Sequence, residues 1–139
     1  MRGLAALAIA VLTATNVCAE ASDAKKATGC FATAISQYDM NVCTGQAFKK
    51  ADAALNALYR QMMSRYEPAD QALLKDSERK WLAYRDAECA FESNSTAGGD
   101  FHLTSEGMCW TEKTQAHIRE LKAQFNCPEG DLGCNRPSK

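Results

Sequence analysis

The side chains able to do chemistry are few. Glu88 and Glu92 stand one helical turn apart, a spacing that could pair two carboxyl groups for acid–base work. His102 could serve as a general base. Cysteines at 18, 30, 43, 89, 109, 127 and 134 could supply a thiolate nucleophile or metal ligands. Each of these readings lacks a partner. Glutamates at i and i+4 ordinarily share a solvated helix face. His102 has no Ser/Asp set to complete a nucleophilic relay. The cysteines contain no Cys-x-x-Cys pair, and His102 and His117 do not stand at ligand spacing. Gly98-Gly99 lacks the Gly or Lys that follows in a phosphate-cradling loop. No catalytic residue, cofactor or metal is therefore assigned.

The N-terminus explains the cysteines. Arg2 gives a positive start, residues 4–12 (LAALAIAVL) form an apolar run, and Val17-Cys18-Ala19 places small residues before a cleavage point after Ala19. Residues 1–19 read as a secretory signal peptide, too short to span a bilayer. A lipoprotein would acylate Cys18, but Thr15-Asn16-Val17 fits a lipobox poorly, so soluble export to periplasm or medium is the expectation. Cleavage leaves residues 20–139 with six cysteines: Cys30, Cys43, Cys89, Cys109, Cys127 and Cys134. An even number in a small exported chain points to disulfides. Of fifteen possible connectivities, pairing of sequence neighbours is expected: Cys30–Cys43, Cys89–Cys109 and Cys127–Cys134. Without Arg2 the chain carries fifteen basic and seventeen acidic residues. That balance is too mild for a nucleic-acid binder.

WLAYRDAEC, residues 81–89, sets Trp81, Arg85 and Cys89 at four-residue steps on one helical face. An arginine on an apolar face needs a partner. Asp52, Asn56 and Tyr59 in ADAALNALY, residues 51–59, form a matching row. The expectation is a structural polar cluster in which Asp52 pairs Arg85 and locks two helices in register.

The elements that must hold these residues are helices. Met40, Cys43, Ala47, Ala51, Ala54, Leu58 and Met62 recur every three or four residues. A long helix is predicted from an Asp39 cap to Tyr66. Residues 67–70 turn, Asp70 caps, and a second helix runs from about Gln71 to Phe91. A tight link between two long helices makes an antiparallel hairpin. Residues 93–108 break the pattern and read as a long loop. Thr111–Phe125 is a third helix, and Cys127-Pro128 opens a small disulfide-bearing tail, 127–139. Residues 20–29 read as a flexible lead-in. No strand pattern occurs, and no other apolar run approaches the length of a spanning helix. The fold class is all-α: a disulfide-stapled hairpin plus a third helix.

The order of Cys30, DMNVC (39–43), ADAALNALY, WLAYRDAEC, Gly98-Gly99, Cys109 and then Thr114, Arg119, Glu120 and Leu121 resembles the N-terminal domain of the LprI-type lysozyme-inhibitor family over about residues 30–125. A domain of 30–126 follows. The resemblance implies an exported, all-helical, disulfide-bonded, non-catalytic protein whose partner is a protein, possibly a lysozyme. The weak lipobox and the extra Cys127 and Cys134 depart from the family pattern. An inhibitor would fill a cleft lined by two carboxyl groups on a basic enzyme. A tethered loop pre-ordered for that task could use Ser95, Thr96, Asp100, Phe101, His102, Ser105, Glu106 and Trp110. The alternative function is an envelope adaptor or stress module with another protein partner and no inhibition.

Overall fold

A computed structural model describes residues 29–137, so the signal-peptide reading and most of the lead-in, 20–28, lie outside the described residues. Four α-helices follow in order, with no strand among the described residues: α1 (Cys30–Thr33), α2 (Gln37–Met63), α3 (Pro68–Ser93) and α4 (His102–Phe125). The all-α fold with a long hairpin and a third long helix is as expected. Several boundaries differ. Ser36, not Asp39, caps α2. Asp39 is the third helical residue, and its carboxylate accepts the Ser36 N–H while the Ser36 hydroxyl accepts the Asp39 N–H. The second helix begins at Pro68 rather than Gln71, because proline's fixed φ and missing N–H suit a first helical position. The first stops at Met63, before Tyr66. Gln71 reaches back across the turn and donates to the Met63 and Tyr66 carbonyls, both at 2.8 Å. Carbonyls left open at the end of α2 are thereby satisfied.

The largest difference concerns residues 93–108. Only 94–101 lie outside the long helices, and α4 starts at His102 instead of Thr111. Glycine at 107 and hydroxyls at 104, 105 and 111 mask the helical period in sequence. In the structure those small residues are what permits close packing. A Cβ on Gly107 would stand 2.5 Å from Thr44 Cγ2, so glycine sets the approach of α4 to α2.

Helix α4 packs along both members of the hairpin. It runs parallel to α2: Gln37 bonds Thr104, Phe48 meets Trp110, and Tyr66 meets Phe125 edge-on. It runs antiparallel to α3, where Cys89 joins Cys109 and Glu78 meets His117. The interior is uneven along its length. At the tail end Leu55, Leu58, Met62, Tyr66, Leu121 and Phe125 form the apolar core. At the crossover end the buried residues are small or polar: Thr44, Ser93, Thr104, Gly107 and Thr114. Such a core gains little from the hydrophobic effect. Two disulfides staple that same end, Cys30–Cys43 and Cys89–Cys109, with Cα atoms 5.4 and 5.6 Å apart. A third, Cys127–Cys134, closes the tail. Asn135 ties the tail to the body: its carbonyl accepts the Tyr66 hydroxyl, and its side chain donates to Asp70.

Candidate functional site

Residues 94–101 form the crossover between α3 and α4, and nearly every constraint on them is local. Asn94–Thr96 make a single 3-10 turn, and Gly98 turns the chain at φ 78°, a conformation that favours glycine. Backbone bonds from Ala97 N–H to Asn94 O and from Gly99 N–H to Thr96 O fold the segment on itself. The Ser93 hydroxyl donates to Cys89 O, and the Thr96 hydroxyl donates to Ser93 O, each at 2.7 Å. His102 Nδ1 lies 3.2 Å from Thr96 Oγ1 and 3.3 Å from Ser93 O. A carbonyl only accepts, so the bond to Ser93 requires a proton on Nδ1. The Cys89–Cys109 bond crosses beneath. Just outside it, the Lys113 ammonium sits 2.8 Å from Glu92 and 3.8 Å from Glu88. The Glu92 hydrogen bond raises the Lys113 pKa above its ordinary value. The two glutamates are thus a cation clamp between α3 and α4.

This geometry divides the expected loop residues. Ser95, Asp100 and Phe101 face solvent. Thr96 and His102 spend their polar atoms holding the crossover. Ser105 and Glu106 stand half-buried on α4, not in a loop. Trp110 packs on Phe48 with ring centroids 5.3 Å apart, and its buried Nε1 has no hydrogen-bond partner among the described residues. Around the crossover the large apolar side chains point outward: Ile35, Tyr38, Phe91, Phe101, Leu103 and Met108 are all exposed. The charges at this end are mostly acidic, with Asp39, Glu88, Glu92, Asp100 and Glu106 against Lys113 and, just past Phe48, Lys49 and Lys50. Apolar surface mixed with acidic groups suits a partner surface with apolar and basic character.

The polar cluster expected around Arg85 exists, but Asp52 is not its partner. Arg85 is 7% exposed, and its Nε and Nη2 donate to Asp86 at 3.0 and 2.8 Å. Nη1 reaches Thr114 Oγ1 at 3.5 Å. The guanidinium carbon lies 5.2 Å from the Phe48 ring centroid and 5.4 Å from that of Trp81. Asp52 instead accepts from Asn56 on its own helix at 2.9 Å. With Tyr59 it lines a groove that faces Glu78 and Leu82 of α3. The reason is register: α2 meets Arg85 through Phe48, one turn before Asp52, α4 adds Thr114, and the carboxylate comes from Asp86 beside Arg85 on α3. Sequence reasoning missed a second buried pair, Glu78 with His117. His117 Nε2 lies 2.7 Å from Glu78 Oε1, and its ring stacks on Trp81 at 4.0 Å with planes 7° apart. The signal was present, since Glu78, Trp81, Arg85 and Cys89 step by three, four and four, and Thr114, His117 and Leu121 by three and four. Among the described residues no group of three His, Cys, Asp or Glu is placed to hold a metal ion.

Residues 30–121 match the family model described as "Lysozyme inhibitor LprI". An uncharacterized protein of Rhizobium meliloti (strain 1021) is 30% identical over 109 residues, covering 69% of this chain and 78% of its own length. No solved structure matches the chain.

Proposed function

The chain belongs to the LprI lysozyme-inhibitor family, and from that membership we propose that it is an exported, non-catalytic inhibitor of a muramidase, with the crossover as its contact surface. The family match over 30–121 carries the inhibitor reading, and the crossover lies within it, braced by the Cys89–Cys109 bond. No described helix is long and apolar enough to cross a membrane, which is compatible with release after cleavage at Ala19. We take the domain as 30–126, which contains the matched residues 30–121, with 127–139 as an appended tail.

The physical case concerns pre-organisation. A muramidase cleft carries two carboxyl groups, so an acidic group alone would be repelled at its centre. Residues 94–101 offer the Ser95 hydroxyl, the Asn94 amide and backbone N–H groups there, with Asp100 and Glu106 beside them for a basic rim. Because the segment is already folded on His102 and the disulfide, little ordering entropy remains to be lost on binding. The test is a titration of purified, oxidised protein against several lysozymes while cell-wall lysis is followed by turbidity. Progressive loss of lysis for at least one enzyme supports the proposal. Undiminished lysis at micromolar excess over every enzyme tried removes it and leaves the adaptor reading.

A further inference from the structure

Helix α1 poses a problem that the inhibitor reading does not solve. It has four residues, none of them buried, so it adds nothing to the core. A disulfide nevertheless pins it to α2 through Cys43, which is 3% exposed. The result of that bond is a placement. Phe31 becomes one wall of an open groove between the parallel helices α2 and α4, on lining residues Met40 and Ala47 from α2 and Met108 and Glu112 from α4. The groove holds about 320 Å³, the volume of one large side chain with room to spare. Its walls are predominantly apolar, and two of them are methionines, which reshape easily around a guest. Thr44, 2% exposed, lines the groove, and its buried hydroxyl has no hydrogen-bond partner among the described residues. Glu112 is exposed at the edge and meets no cation among the described residues.

We infer that this groove is a docking site for a segment of a protein partner in which a large apolar side chain sits beside a lysine or arginine. The apolar side chain fills the space between Met40, Met108 and Phe31, and the neighbouring cation pairs with Glu112. The charge of Glu112 selects the flanking residue, and the Cys30–Cys43 bond keeps the end wall in place before the partner arrives. The polar lead-in, with alanine as its one apolar residue type between 20 and 28, lacks the anchor this groove requires.

The probes are three synthetic pentapeptides, blocked at both ends: Ala-Lys-Phe-Lys-Ala, the same peptide with Glu for both Lys, and the same peptide with Ala for Phe. Each is titrated into the oxidised protein while amide shifts are recorded by NMR. The Lys-Phe-Lys peptide should perturb Phe31, Met40, Ala47 and Met108 and bind at least fivefold more tightly than either control. Glu112→Gln, on an exposed site, should abolish the preference for Lys over Glu while leaving the melting temperature unchanged. Ala47→Phe, which fills the groove from within, should remove binding. The inference is overturned if shifts fall elsewhere, if peptide charge makes no difference, or if Ala47→Phe binds like the parent. It is equally overturned if the same residues shift with protein concentration alone, which would assign the groove to a second copy of the chain. None of these substitutions touches residues 94–101, so the result is independent of lysozyme inhibition.

Discussion

Replacing Arg85 separates two explanations of why an arginine lies inside this protein. If an ion pair is the support, removing either charge should hurt equally. The geometry argues otherwise. The Asp86 side chain is 59% exposed and returns to water when Arg85 is lost, so the pair itself contributes well under about 1 kcal/mol. Two aromatic faces at 5.2 and 5.4 Å contribute about 1 kcal/mol each in a largely dry setting. Thr114, fully buried, loses its Arg85 donor at a cost of about 1 kcal/mol. The vanished stem leaves a void beside Phe48 and Trp81. Arg85→Ala should therefore cost about 3–4 kcal/mol. Arg85→Met restores the stem and adds sulfur–aromatic contact, so its cost should be about 1–2 kcal/mol. Asp86→Asn should cost less than about 1 kcal/mol. Urea unfolding of the oxidised proteins, with a common m-value, measures all three. Asp86→Asn matching Arg85→Ala, or Arg85→Met faring no better than Arg85→Ala, would refute the reasoning.

Three further outcomes are expected. Gly107→Ala gains helix propensity but drives a Cβ to 2.5 Å from the Thr44 methyl, and should destabilise by about 1–3 kcal/mol; Thr44→Ser in the same chain removes that methyl and should recover most of the loss in the same unfolding assay. Cys89→Ser with Cys109→Ser should cost about 3 kcal/mol in the chain-entropy model, and Cys127→Ser with Cys134→Ser less, since its loop is shorter; thermal melts rank the two. The Asp39 pKa is lowered, first by the Ser36 hydroxyl and then by the Ile35 and Ser36 N–H groups. A depressed folded pKa gives stability that is present above the ordinary carboxylate range and is lost as pH falls through the folded value. Stability measured from about pH 5 to pH 2 should therefore decline more steeply in the parent than in Asp39→Asn.

The parts legible in sequence were those written in apolar period and sulfur. The stripes of α2 and α3 gave the hairpin, and the neighbour pairing of cysteines agrees with the three bonds of the structure. The first nine residues of α4, 102–110, were not legible, because Thr104, Ser105 and Gly107 look like a loop by composition. They serve as the small faces on which α2 and α3 close. That error carried into the site: a loop drawn across 93–108 put Trp110 beside the binding surface, whereas the helix turns it onto Phe48. The Arg85 error is one of register, not of helix length: Thr114 lies inside the helix predicted over 111–125, and α2 meets Arg85 through Phe48, one turn before Asp52. Sequence period shows which face of a helix is covered but not by which neighbour.

The direct test of the inhibitor account is a charge reversal at the exposed tip of the crossover, assayed against whichever lysozyme the oxidised protein inhibits. Asp100→Lys leaves the hydrogen bonds of Ser93, Thr96 and His102 in place. The account predicts inhibition weakened at least tenfold with an unchanged melting temperature. Inhibition by Asp100→Lys equal to that of the parent would place the contact elsewhere on the molecule and contradict it.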